Sequence, residues 1–322
     1  MLNNDEARPA GEKEVKQKIK LRENATWRKY LFIYGFLAYP LLNFIVFYIL
    51  INFNGILLAF QETDTLTFQS HWAGLTQFKR FFEEFFKSKD LLVYTLRSAM
   101  IWGITLVVGM PLNILFAYLF LIKIRGTYIF RALIMVPMMI SGLMTSMIFM
   151  KLAENVLPEL LKSWFDISTV SLLRDERYNL PTLIVYTLLT GFSYNVILYS
   201  NAMGGSSESM FEAVRLDGAT HLQTIWYLCV PLCYPIMTTF IVTSVPSILC
   251  GDIGLYVFYQ YEAPKSVITT GYYLFILSYG SSSIANVDYS YSAAVSLIFT
   301  LVSFPLLLAV RWFMEKHDPT ND

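Results

Sequence analysis

Residues 98–122 read SAMIWGITLVVGMPLNILFAYLFLI, without a single Asp, Glu, Lys or Arg. About 20 apolar residues in a helix, rising ~1.5 Å each, cross the ~30 Å hydrocarbon layer of a bilayer. A charge at the bilayer centre costs at least ~2.5 kcal/mol, so spans exclude it. Backbone N–H and C=O groups in hydrocarbon must bond within their own segment, which makes such a stretch a helix. The same signature recurs at 30–61, 132–150, 178–207, 218–251, 266–287 and 289–310. One of these is too short. Inside 266–287 the apolar core is only 272–277, followed by the polar run 278–283, so it reads as an external or re-entrant segment. Six spans remain, at 31–51, 96–122, 129–150, 181–203, 229–250 and 290–313. The fold class is therefore an all-α membrane protein with six transmembrane helices, and the lipid bilayer is its first partner.

Composition agrees. Of 322 residues, 55% are hydrophobic and 15% charged, against roughly 25% charged in a soluble domain. The net charge is zero, which leaves no basic footprint for nucleic acid. Cys229, Cys233 and Cys250 share one predicted span without a histidine cluster beside them, so they read as packing residues and no metal site is expected. His71, His221 and His317 fall in different loops, and no convergent catalytic group is found. The chain has no Gly-x-x-x-x-Gly-Lys-Ser/Thr run, so it does not hydrolyse ATP through a P-loop. The first apolar stretch is too long for a signal peptide and lacks a small-residue cleavage site, so it reads as a retained anchor.

Orientation follows from positive charge near the spans. Arg8, Lys13, Lys16, Lys18, Lys20, Arg22, Arg28 and Lys29 precede the first span, and Lys123, Arg125 and Arg131 fall between the second and third. Both termini are predicted cytoplasmic in a multi-pass cell-membrane protein. The chain divides into a basic cytoplasmic tail (1–29), a first helix (30–52), an external segment (53–94), a core (95–313) with a cytoplasmic loop at 204–226, and a cytoplasmic tail (314–322).

That loop reads GGSSESMFEAVRLDGATHLQTIW. A helix over about 208–216 is predicted to end at Gly218, which adopts the left-handed conformation readily, and Thr220 to cap the next helix. Phe211, Ala213, Val214 and Leu216 supply apolar material, with Glu212, Arg215 and Asp217 at its edges. Such a platform can lay a short helix into a groove of a soluble partner. Equally, it can be a well-capped connector.

The run from Glu212 to Ala219, followed by Leu228, Pro231 and Pro235, resembles the EAA loop of binding-protein-dependent ABC importer permeases, in the carbohydrate branch of maltose and glycerol-phosphate permeases. That pattern is Glu-Ala-Ala, three residues, Gly, nine residues, Ile, any residue, Leu-Pro. Here three residues separate Val214 from Gly218 and nine separate Gly218 from Leu228. Trp72 to Phe78 is similar to that branch's external W-x-G-L-x-N-F segment. Phe130-Arg131 with Pro137 is similar to the start of its third span, and Asp288 to Ala294 to its D-Y-G-Y-A-S-A segment. The departures are Val214 for Ala, Leu228 for Ile, Ser206-Ser207 for Ile-Pro, and Ala263-Pro264 for Gly-Gly-Pro. They put the shape of those turns in question rather than the family.

The resemblance implies a type I ABC importer permease-like fold and a non-catalytic subunit. It favours a heterodimer with a second, different permease subunit over pairing of the chain with itself, and it implies two ATPase subunits and an extracytoplasmic sugar-binding protein. It implies no cofactor in this chain, with ATP and Mg bound by the ATPase subunits. Glu212, Ala213, Asp217 and Gly218 become the ATPase-coupling positions. For the substrate path, polar and aromatic residues within spans are the candidates: Asn113, Tyr186, Ser193, Tyr194, Asn195, Tyr199, Ser244, Ser247 and Asp252. Tyr194, Asn195, Asn113 and Ser247 stand foremost, since amides, hydroxyls and aromatic faces suit a neutral sugar. Interhelical hydrogen bonding is the competing role for each. A secondary transporter of a small polar solute, a membrane-embedded enzyme and a scaffold are the rival functions. None of them needs the EAA pattern. Impermeant labelling of single cysteines in intact cells, in a background without the three native ones, tests the orientation. Position 84 should react and position 12 should not. The reverse pattern contradicts the predicted topology.

Overall fold

The computed structural model describes residues 27, 29–63, 70–122, 125–205, 208–280 and 287–319. The predicted basic tail up to residue 26, Arg28, Lys123, Ser206-Ser207, the 281–283 serines and the end of the C-terminal tail lie outside the described residues. The chain divides into two units, Met1–Leu57 and Leu58–Asp322. The first holds all but the last residue of helix α1, Lys29–Leu58, whose apolar window is unburied by protein along its length. It runs beyond the predicted end at 51. Leu57 and Leu58 continue the uncharged run, and no breaker interrupts it.

The second unit opens with a two-stranded antiparallel hairpin, β1 (Gln61–Thr63) and β2 (Ser70–Trp72), with Glu62 opposite His71. Helix α2, Thr76–Glu83, continues as a widened turn through Ser88 and stops at Lys89, whose φ is +61°. There follow α3 (Asp90–Leu121), α4 (Thr127–Met139), α5 (Gly142–Phe165), α6 (Asn179–Gly204), α7 (Glu208–Leu216), α8 (His221–Ser244), α9 (Ser247–Cys250), α10 (Leu255–Tyr259), α11 (Thr270–Tyr279) and α12 (Tyr289–Lys316).

Three of the long helices share one device. Widened five-residue turns at Thr105–Gly109 in α3, Leu152–Val156 in α5 and Ile225–Cys229 in α8 each end two residues before a proline, at Pro111, Pro158 and Pro231. A proline lacks the N–H that would bond four residues back, and its ring crowds that carbonyl. A π-type turn just upstream absorbs the mismatch. In α8 the Val230 N–H reaches the Ile225 carbonyl instead. Close packing of α3 on α6 uses Gly109, where a Cβ would stand 3.1 Å from Leu188 Cδ2.

Two predicted spans need correction. The third, 129–150, is not one helix: α4 and α5 meet at a bend of 105°. Pro137 lies inside the last turn of α4, and Ile140 and Ser141 are extended. The fifth, 229–250, begins earlier, at His221, and breaks after Ser244, with Pro246 heading the separate short α9. In segment 266–287 the described residues hold no helix long enough to cross a bilayer. The segment's ten-residue helix α11 buries Tyr272, Ile276 and Leu277 within the protein. It is tied to α3 by Arg97 Nη1 donating to the Lys265 carbonyl at 2.9 Å, and by the Thr270 N–H donating to Ser98 Oγ at 3.1 Å.

A polar network joins α2, α11 and the start of α12. Arg80 Nε donates to Glu84 at 3.1 Å, its Nη1 contacts Asp288 at 2.5 Å, and its guanidinium lies 4.1 Å from the Tyr291 ring centre. The Tyr291 hydroxyl donates to Glu84 at 2.6 Å and Tyr273 does so at 3.3 Å. Asp288 also caps α12 by accepting from the Tyr291 N–H. Glu84 is thus occupied, and Lys87, 78% exposed, is the labelling position that leaves the network intact. Tyr291→Phe removes one hydroxyl donor to a charged, half-buried acceptor. It should lower unfolding stability of the purified protein by about 1–3 kcal/mol, read as a fall in melting temperature in detergent. An unchanged melting temperature would mean the network does not stabilise this joint.

Candidate functional site

The loop after α6 is built from two local signals. Helix α7 ends in a Schellman turn. The Ala219 N–H donates to the Val214 carbonyl at 3.2 Å, the Gly218 N–H donates to the Arg215 carbonyl at 3.1 Å, and Gly218 has φ +74°. That geometry puts a left-handed residue at the position where glycine is least strained. Two residues later a capping box starts α8. The Thr220 N–H donates to Gln223 Oε1 at 2.8 Å, and the Gln223 N–H donates to Thr220 Oγ1. The box fixes the direction of the second helix, so the turn between α7 and α8 is constrained from both sides.

The faces of α7 follow helical spacing. Phe211 and Val214 are half-buried, with Phe211 packed on the cluster that contains Tyr118, Tyr199, Met203, Cys229 and Cys233. Glu212, Ala213, Asp217 and Gly218 are exposed, as are Met210 and Leu216, the latter at 88%. Of the four apolar residues expected to offer a docking face, only Ala213 and Leu216 point outward. Phe211 holds the helix to its own protein. At the base of the loop, His221 Nδ1 lies 2.7 Å from the Tyr118 hydroxyl, linking the start of α8 to α3. Nothing in the linear pattern pointed to this pair, which is 103 residues apart.

Farther along the same helices two chambers open. The first, about 300 Å³, lies among α3, α6 and α8, and both Asn113 and Asn195 line it, together with Trp102, Tyr199, Phe240 and Thr243. Asn113 is buried among its neighbours. The second, about 170 Å³, is lined by Ser98, Ser247, Asp252 and Thr269 among others. Trp102, Thr105, Thr187 and Ser244 line both. Trp102 Nε1 donates to Ser244 Oγ at 2.9 Å, so an indole and a hydroxyl form the partition. The widened turn Thr105–Gly109 brings Thr105, Leu106 and Gly109 to the first chamber.

Of the four foremost path candidates, Asn113 and Asn195 are brought together, Ser247 lies in the adjoining chamber, and Tyr194 lines neither. Asn195 faces the first chamber, whereas Tyr194, turned about 100° from it round the helix, does not line it. Tyr194 is 52% exposed, with its ring edge toward Phe240. Tyr186 is buried and its hydroxyl lies 2.5 Å from Ser146 Oγ, an interhelical bond rather than a cavity group. Asp252 reaches the second chamber, where burial pushes its carboxyl above the usual carboxylate range and the N–H groups of Leu255, Gly254 and Ile253 pull it back. Among the described residues no group of His, Cys, Asp and Glu is arranged to hold a metal ion.

The profile of the family described as "Binding-protein-dependent transport system inner membrane component" matches residues 94–321. The chain is 25% identical over 284 residues to the multiple sugar-binding transport system permease protein MsmF of Streptococcus mutans serotype c, covering 86% of this chain and 93% of that one. It is 22% identical over 299 residues to protein LplB of Bacillus subtilis, covering 89% of each. Its fold is similar to that of a chain in the crystal structure of a bacterial ABC transporter that imports the acidic polysaccharide alginate. The TM-score is 0.74 at 18% identity, over 92% of this chain and 99% of that one.

Proposed function

Because the chain belongs to the family of binding-protein-dependent transport system inner membrane components, we propose that it forms half of the path of an ATP-driven sugar or oligosaccharide importer. A second, different permease subunit supplies the other half. An extracytoplasmic binding protein delivers the sugar, and two ATPase subunits bind ATP and Mg on the cytoplasmic side. Nucleotide chemistry belongs to those subunits, and this chain transmits their motion. Sugar as the cargo is supported by the multiple-sugar name of the relative MsmF and by the amides, hydroxyls and indole around the first chamber.

The observation that carries the coupling reading is the stiffness of the loop. Helix α7 offers Glu212, Ala213, Leu216 and Asp217 to the outside, while Phe211 anchors it and the Schellman turn and capping box fix its angle to α8. A push on the exposed edge of α7 is therefore delivered to α8, and through the His221–Tyr118 contact to α3. Both helices wall the first chamber. A slack connector would lose that motion.

Two experiments follow. Nothing stands within 4 Å of a Cβ built on Gly218, so only backbone strain opposes a substitution there. A β-branched residue at that positive φ is a severe outlier. Gly218→Val should tilt α7, and Glu212→Lys should reverse the charge on its outer edge. Both variants should insert normally yet lose at least ~90% of binding-protein-stimulated ATP hydrolysis in reconstituted membranes, about 1.4 kcal/mol or more of coupling, and should co-purify less ATPase subunit. Wild-type stimulation in both would reduce the loop to a connector. For the path, Asn195→Ala should raise the uptake KM or lower its maximal rate severalfold at normal expression, while Tyr194→Ala stays within about twofold. Equal effects of the two would return Asn195 to interhelical bonding.

A further inference from the structure

The second chamber holds chemistry that the first does not. Thr269 sits at the N-cap of α11, where a threonine hydroxyl normally accepts from the first turn of its helix. Here it caps nothing. Thr269 is fully buried, its Oγ1 has no partner among the described residues, and it lines the chamber. A buried hydroxyl without a partner costs about 1–3 kcal/mol, so a group that completes it there is favoured. The neighbouring Thr270 cannot serve. Its N–H is taken by Ser98 and its hydroxyl donates to Thr95 at 3.2 Å. Asp252 faces the same space, with Oδ1 accepting from the Gly254 N–H at 3.1 Å. A carboxylate has about four acceptor sites, so the N–H groups of Gly254, Ile253 and Leu255 still leave it room to accept from an O–H group of a sugar.

Charge decides the kind of ligand. Among the described residues no Lys, Arg or His lines either chamber. Arg97, next to Ser98, spends its guanidinium on the carbonyls of Lys265 and Ile268. An anionic cargo would meet the Asp252 carboxylate with no countercharge from this chain. A neutral saccharide would meet an acceptor in Asp252 and, at the partition, the Trp102 indole, whose flat face suits the C–H side of a sugar ring; a small shift of the wall would bring the buried, unpartnered Thr269 hydroxyl to it.

We propose that the chamber bounded by Asp252, Thr269 and Trp102 is a subsite for one unit of an uncharged saccharide, and that Asp252 selects against acidic sugars. The inference rests on the sugar-importer reading and narrows its substrate class. It sets this chain apart from the transporter of similar fold that imports acidic alginate.

The test uses the complete complex in vesicles with its own binding protein. Uptake is measured for neutral gluco-, xylo- and arabino-oligosaccharides and for oligogalacturonides and alginate oligosaccharides. Wild type should take up at least one neutral class and exclude the acidic ones. Because the binding protein is unchanged between variants, a shift in selectivity reports on this chain. Asp252→Lys should raise the acidic-to-neutral uptake ratio on the order of tenfold, the scale of a reversed charge a few ångström away in partly hydrated protein. Asp252→Asn keeps an acceptor for the Gly254 N–H, and so the local fold. It should shift the ratio the same way by a smaller factor. Thr269→Val should weaken neutral uptake severalfold. Uptake of acidic oligosaccharides by wild type, or an unchanged ratio in both Asp252 variants, overturns the proposal while leaving a sugar importer. Failure of the wild-type complex to take up any saccharide overturns the importer reading itself.

Discussion

In long segments without charge, every backbone N–H and C=O must find its partner inside the protein. That single requirement shapes the rest of the molecule. It makes the uncharged stretches helical; Pro235 and Pro305 sit inside α8 and α12 without a widened turn, while three other helix prolines are met by one. Pro111, Pro158 and Pro231 each sit two residues past a widened turn. Such turns alter the twist of the helix locally, so side chains beyond them face directions that an ideal helix would not give. In α3 the consequence is functional geometry: the widened turn borders the first chamber and lies between Trp102 and Asn113. In α8 it lies immediately after the capping box, where the loop meets the long helix.

The same helices link the two ends of the site. Helix α8 begins at the capping box, and Phe240, Thr243 and Ser244 near its other end line the chambers. Helix α3 runs from Ser98 and Trp102 beside the second chamber to Tyr118 beside His221. A rigid rotation of either helix changes the chamber walls and the Trp102–Ser244 partition together. The network of Arg80, Glu84, Tyr273, Asp288 and Tyr291 fixes the far joint, where α2, α11 and α12 meet.

Much of this was legible in the sequence, for physical reasons that differ from element to element. Charge-free length located the spans, because the cost of burying a charge is large and local. Gly218 and Thr220 announced the break between α7 and α8, because left-handed turns and helix starts depend on single residues. The 105° bend between α4 and α5 was not legible. Pro137 stood in view, but prolines inside membrane helices often kink without breaking them, and the extended residues are Ile140 and Ser141. Which face of α7 points outward depended on Phe211 packing against Tyr118 and Cys229, a tertiary fact. Tyr194 and Asn195 were paired as neighbours in sequence, whereas a helix separates them by about 100°. The Arg80–Asp288 contact spans 208 residues and leaves no periodic trace.

The central claim is that the outward edge of α7 is where this chain receives force from its ATPase subunits. Photo-cross-linking from single positions in the assembled complex addresses it most directly, with a short-range reactive residue placed in turn at Ala213, Leu216 and Val214. The first two face outward and the third is half-buried against its own protein. The account predicts adducts to the ATPase subunit from positions 213 and 216, changing in yield when ATP is added, and far weaker ones from 214. Equal labelling from all three, or none from the exposed pair, would contradict it.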